Sequence, residues 1–155
     1  MPETKLITYP HQILKKTTKE VAEINDAIKK IIETMKKMMK QHKGVGLAAN
    51  QIGENLSIFI AIDEQKGKIE TFINPKIIKY IGKEELKEEG CLSVPNVWGY
   101  VKRYPQVIIE YTNLWNKKRK IRAKGLLAHI IQHEIDHLQG ILFIDKAQEV
   151  FTLKE

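Results

Sequence analysis

The sequence predicts an α+β fold, with mixed, mostly antiparallel β-sheets around a C-terminal helix and a second helix near the N-terminus. Two observations predict it. Two long segments carry apolar residues at helical spacing, and the stretch between them breaks into short apolar runs joined by hairpin-type connections.

The segment up to about Ile24 is mixed and reads as irregular, with Tyr9-Pro10 as a breaker. A first helix is expected over Asp26–His42, with Asn25 or Asp26 as its N-cap and Gly44 ending it. Within it Ile28, Ile31, Ile32, Met35, Met38 and Met39 form an apolar stripe with lysines between them, the pattern of a core-facing helix. Leu56–Ile62 reads as a buried strand. Thr71–Asn74 and Lys76–Ile81 read as two strands flanking Pro75, and Val97–Val101 as another. Val107–Thr112 and Lys118–Ala123 read as a hairpin with Asn113–Lys117 as its loop. A second long helix is expected over Leu126–Gln139, stopped by Gly140, and Ile141–Ile144 as a last short strand.

A chain of 155 residues with 43% hydrophobic residues suits one domain spanning residues 1–155 and is too apolar for a disordered chain. A single thiol, Cys91, excludes an intramolecular disulfide scaffold and is compatible with a reducing cytoplasm. Met1–Pro10 has no secretory pattern, and no apolar run approaches the ~20 residues of a membrane span. The net charge is +7, but 23 of the 26 cations are Lys and are scattered among Glu residues. Specific nucleic-acid readers use Arg forks on a clustered basic face, so the expectation is a solvated surface, no sequence-specific nucleic-acid partner and at most weak attraction to a polyanion such as ribosomal RNA.

The strongest chemical signal is His133-Glu134-Ile135-Asp136-His137, an H-E-x-x-H pattern inside a predicted helix. Residues four apart share a helix face, so both imidazoles can reach one divalent ion, and Glu134 beside the first can take a proton from water. A catalytic tetrahedral site needs a third protein ligand. His129 shares the face, but the rise of ~1.5 Å per residue puts it ~12 Å along the axis from His137, so it suits a pocket or supporting role. The position a metzincin would fill with His holds Phe143, and the downstream acids Glu149 and Glu155 lie near the chain end. Cys91, in Glu89-Gly90-Cys91-Leu92-Ser93, is the better third ligand.

Three segments together resemble the peptide deformylase family. Gly44-Val45-Gly46-Leu47-Ala48-Ala49-Asn50-Gln51 matches G-x-G-φ-A-A-x-Q, Glu89–Ser93 matches E-G-C-φ-S, and His133–Gly140 matches H-E-φ-D-H-φ-x-G. They stand in the family's order and at about its spacing, so the resemblance covers nearly the whole chain.

The resemblance implies a metal-dependent hydrolase that removes the N-formyl group from the formyl-methionine of nascent polypeptides and releases formate. It implies that Cys91, His133 and His137 bind one divalent metal, natively ferrous iron, with zinc, nickel or cobalt as substitutes. It makes Glu134 the general acid and base, and has the Gln51 amide and the Leu92 N–H donate to the developing oxyanion. Gly44, Val45, Gly46 and Gly90 would line the groove for the substrate backbone, and His129 and Ile130 its side-chain pocket. Asp136 and Glu89 are expected to orient ligands or pair with a cation, with Arg103 a candidate, and Trp98 to form a pocket wall or pack ordinarily. His129 and Lys87 stand where the family often has apolar residues, which bears on the methionine preference. The implied partners are the formylated peptide and, transiently, the ribosome, for a cytoplasmic monomer.

Overall fold

Helix α1 (Asp26–Gln41) starts where the Asn25 side chain accepts the Ile28 N–H at 3.0 Å, supplying one of the acceptors a helix start lacks. Its stripe is buried as expected: Ile28, Ile32, Met35, Met38 and Met39 pack on Leu47, Ile58, Ile60 and Ile73. Each such side chain taken fully from water contributes roughly 1.5–3 kcal/mol. The helix ends differently from the expectation. The left-handed residue is Lys43 (φ 56°), and Gly44 follows it, donating its N–H to Met39 O at 2.9 Å.

The computed structural model describes residues 4–152. After α1 come β1 (Gly46–Ala48), β2 (Ile58–Asp63), β3 (Lys68–Ile81), β4 (Glu85–Cys91), β5 (Val94–Arg103), β6 (Gln106–Thr112), β7 (Lys118–Lys124), α2 (Gly125–Leu138), α3 (Phe143–Lys146) and β8 (Glu149–Thr152). A five-stranded sheet has the order β1-β2-β3-β6-β7 and a three-stranded sheet the order β4-β5-β8; every strand pairing is antiparallel. The α+β expectation therefore holds, with α2 at its centre.

Strand β2 explains why its sequence is apolar throughout. Ile58 and Ile60 face α1, while Phe59 and Ala61 face α2, so both sides of the strand are covered. Phe59 stacks on Phe72 with ring centroids 4.5 Å apart. On the α2 side, Ala128, Ile131, Ile135 and Leu138 pack on these rings and on Val107, Ile109 and Ala123.

Two expectations are corrected. The strands expected on either side of Pro75 are one strand, β3, whose register shifts between Ile73 and Lys76. The bulge accommodates the missing proline N–H, and Asn74 takes a left-handed φ of 50° while its side chain bonds Val21 N and O. The last strand expected at Ile141–Ile144 is instead an irregular link, Ile141 and Leu142, and the start of α3. Asp145 Oδ2 accepts the Leu142 N–H at 2.9 Å, and Phe143 is buried with Leu14, Val94 and Val101. Apolar residues there serve a small core rather than a ladder. Strands β1, β4 and β8 were not anticipated, and β5 is longer than expected.

Candidate metal centre and substrate pocket

Helix α2 carries His133 and His137 on one face, with ring centroids 4.9 Å apart. Strand β4 runs past that face and ends at Cys91, where Leu92 and Ser93 turn the chain into β5. The result is one cluster: a ligand atom from each of Cys91, His133 and His137 lies within 4.8 Å of the others. Cys91 Sγ is 3.2 Å from His137 Nε2. The donor set, one soft thiolate and two imidazoles, suits a borderline transition-metal ion and leaves a coordination position open. Of the acidic alternatives, Glu149 lies exposed on β8 and Glu155 is outside the described residues.

Around this cluster sit three buried carboxylates, Glu89, Glu134 and Asp136. Glu89 accepts from Arg103 Nε at 2.9 Å and Nη2 at 2.7 Å, and its oxygens also meet His129 Nε2 at 2.7 Å and His133 Nδ1. Burial opposes its ionisation, but these partners, Arg103 foremost, hold its pKa well below the usual range. By engaging Nδ1 of His133, Glu89 leaves Nε2 as the nitrogen available to an ion. Arg103 Nη1 also donates to Asp136 Oδ2 at 2.7 Å, and Lys146 Nζ to Asp136 Oδ1 at 3.1 Å. The expected pairing of Glu89 and Asp136 with Arg103 is thus present.

Glu134 is treated oppositely. It is 3% exposed, and its Oε1 has no hydrogen-bond partner. Burial is the largest influence on it and pushes its pKa up to about 7. The chain comes very close here: a Cβ on Gly46 would lie 2.6 Å from Ile130 Cγ2 and 2.7 Å from Glu134 Oε2. Glycine at 46 is what lets β1 lie against the carboxylate.

Gln51, in the 3-10 turn Ala49–Ile52, is fixed at both ends of its amide. Its Oε1 accepts the Ala48 N–H at 2.9 Å, and its Nε2 donates to Ser93 Oγ at 2.9 Å, 3.8 Å from Cys91 Sγ. Two helpers lie inside the quoted motifs but were given no role from sequence. Ser93 receives Gln51, and Asn50 Nδ2 donates to His137 O at 2.7 Å, tying the turn to α2. Their place as polar residues inside the motif segments, each next to or two residues from a site residue, is the sequence signal that points to them.

A pocket of about 550 Å³ opens onto the cluster. Gln51, Cys91, Leu92, His133 and Glu134 line its floor; Gly44, Val45 and Gly46 form one wall, Gly90 and Trp98 another, and His129 and Ile130 a third. Of the metal, catalytic and substrate-groove residues expected from sequence, His137, fully buried below, is the one that does not line it; Asp136 and Arg103, expected to support the ligands, lie outside it as well. Trp98 lies against Gly90, where a Cβ would come within 2.6 Å of its ring. Lys87 is not among the lining residues and faces Glu85 at 3.3 Å instead.

Comparison with known proteins shows the family. The family profile described as Polypeptide deformylase matches residues 3–151. A peptide deformylase of Dictyoglomus turgidum is 46% identical over 143 residues, 92% of each chain. One from Thermoanaerobacter pseudethanolicus is 48% identical over 136 residues, 88% of this chain and 84% of the relative. Among solved structures, the peptide deformylase of Thermotoga maritima superposes with a TM-score of 0.90 at 31% identity, covering 96% of this chain and all of the other. That of Synechococcus elongatus in complex with actinonin gives 0.90 at 36% identity, covering 96% and 81%. With matches of this extent over a site built from the same three segments, the chain belongs to the polypeptide deformylase family.

Proposed function

We propose that Cys91, His133 and His137 hold one divalent metal, natively ferrous iron, and that Glu134, Gln51 and the Leu92 N–H carry out the hydrolysis beside it. As a member of its family the chain is a metal-dependent hydrolase that removes the N-formyl group from nascent polypeptides and releases formate. The observation that carries the residue assignment is the convergence of three ligand atoms within 4.8 Å beside a buried carboxylate with an unpartnered oxygen.

A bound divalent ion supplies Lewis acidity to water and to the formyl carbonyl. Glu134 takes a proton from the attacking water, whose oxygen adds to the formyl carbon. A carboxyl near neutrality is suited both to take that proton and to give it up. Gln51 Nε2, held in place by Ala48 and Ser93, and the Leu92 N–H donate to the carbonyl oxygen as it gains negative charge. Loss of one such donor costs roughly 2.7–4 kcal/mol in other hydrolases. The C–N bond then breaks, Glu134 returns the proton to the leaving amine, and formate departs.

The peptide backbone runs between the Gly44–Gly46 wall and Gly90, with its first side chain against Ile130 and His129. The whole chain acts as one domain and a monomer in the cytoplasm, meeting its substrate transiently at the ribosome. No helix among the described residues is long and apolar enough to cross a membrane.

The test is anaerobic purification with metal analysis, coupled to formate release from a short formyl-methionyl peptide. Formate released in proportion to bound iron supports the reading. Internal cleavage of a peptide with a blocked, non-formyl N-terminus would indicate a peptidase of another kind.

A further inference from the structure

The lysines look scattered in the sequence, but the β6–β7 hairpin gathers a set of cations that the hydrolytic site does not use. Along β7, Ile121 and Ala123 turn inward to the α2 core, while Lys118, Lys120, Arg122 and Lys124 are all exposed on the other face. Alternate strand positions recur every ~6.6 Å, so these four cations form a row ~20 Å long. The register continues the charge inward. Lys76 of β3 lies opposite Glu110 of β6, which lies opposite Lys120; Lys79 lies opposite Ile108, which lies opposite Arg122. At these register positions Glu110 is the one acid. None of the six cations makes an ion pair within 4.0 Å among the described residues.

The loop beyond this row displays an aromatic ring. Trp115 is 75% exposed, yet its loop is held, because Asn113 Oδ1 accepts the N–H groups of Trp115 at 2.9 Å and Lys117 at 3.0 Å. A groove of about 440 Å³ lies at the same end, lined in part by Lys76, Thr112, Lys118, Arg119 and Lys120. Lysines on an edge strand also discourage edge-to-edge pairing. That purpose requires neither cations two strands further in, on β3, nor an exposed tryptophan.

We propose that this face binds single-stranded RNA, its cation row following the phosphates and Trp115 stacking on an unpaired base. A row of evenly spaced charges along a strand complements a linear polyanion. The surroundings of Trp115 favour a base over lipid chains: Asn113, Asn116 and Lys117 are polar, and Leu114 packs inward on the α1 core. The mostly Lys composition gives binding without sequence readout. The surface is separate from the hydrolytic pocket, and for an enzyme acting on nascent chains it would hold the enzyme near an RNA-rich particle.

The test measures binding of a short fluorescent oligouridylate across a salt series, with the full chain. The Lys118→Gln/Lys120→Gln/Arg122→Gln variant is compared with Lys29→Gln/Lys30→Gln/Lys37→Gln, which removes the same charge from exposed positions of α1. We expect the hairpin variant to weaken binding at least ~10-fold and to lower the salt slope by about 2 units, at ~0.7 per phosphate contact. The α1 variant should leave both nearly unchanged, and Trp115→Ala should weaken binding roughly tenfold with the slope kept. Equal losses in the two triple variants, no binding by the unaltered chain, or hairpin-dependent binding to anionic phospholipid vesicles or polyglutamate with none to the oligouridylate would overturn the proposal. Formate release, assayed in parallel and expected to be the same in all variants, keeps failure of this surface distinct from failure of the hydrolytic reading.

Discussion

Glu89 and Glu134 are two buried carboxylates beside the same pair of α2 histidines, and the fold treats them in opposite ways. Glu89 is surrounded by donors from Arg103, His129 and His133 and stays ionised far into acid. Glu134 is left with an unpartnered oxygen, and burial brings its pKa to about 7. The difference teaches how one site divides its labour. The satisfied carboxylate fixes a ligand and ties the three-stranded sheet to the helix, whereas the unsatisfied one is available to exchange protons.

That contrast can be broken from either side. The largest effect is expected for Glu134→Gln, which keeps the shape and removes the base: formate release should fall ~10²–10⁴-fold, with the melting temperature unchanged or slightly raised. Steady-state kinetics beside thermal unfolding check it. Next comes Arg103→Met. It leaves Glu89 and Asp136 buried without their shared cation and should cost about 3–5 kcal/mol of stability, read by denaturant unfolding. Gly46→Ala should come third. Its Cβ would press on Ile130 and Glu134, so about 1–3 kcal/mol of overpacking strain should appear together with reduced turnover.

The smallest effect is expected at the exposed Lys15–Asp145 pair, 2.7 Å apart. Asp145 is mildly disfavoured as an anion by burial, but Lys15 and the Leu142 N–H outweigh this and lower its pKa. A lowered carboxylate pKa stabilises the fold above its ordinary value near 3.8 and loses that contribution as pH falls through the folded value. Asp145→Asn should therefore change stability by less than ~0.5 kcal/mol at neutral pH, and by less still in acid, as unfolding at two pH values would show.

Much of the fold and of the metal cluster is legible in the sequence because those signals are local, whereas the contrast between the two carboxylates rests on partners distant in sequence. The H-E-x-x-H spacing places two imidazoles on one helix face, the Met and Ile stripe places α1, and the Asn113–Lys117 loop marks the hairpin. What was less legible depends on partners distant in sequence. Strand β4 reads Glu-Leu-Lys-Glu-Glu-Gly-Cys and is mostly exposed, so no apolar alternation announces it, although it delivers both Glu89 and Cys91. Strand β1 has three residues, too few for any period. Pro75 signals a break because the sequence does not show the bulge that absorbs it. The Ile141–Ile144 run has strand composition, but Asp145 caps a helical turn there and a small core takes its apolar residues. The cation row on β7 is not legible in the sequence, because lysine counts along the chain do not show which residues share a sheet face.

The division between the two carboxylates is tested most directly by measuring formate release per bound metal ion for Glu134→Gln and Glu89→Gln side by side. The account predicts that Glu134→Gln keeps a full complement of metal and loses turnover. It predicts that Glu89→Gln binds metal ~10–100-fold more weakly, yet turns over nearly normally for each ion it holds. Full turnover by Glu134→Gln, or unchanged metal affinity in Glu89→Gln, would contradict it.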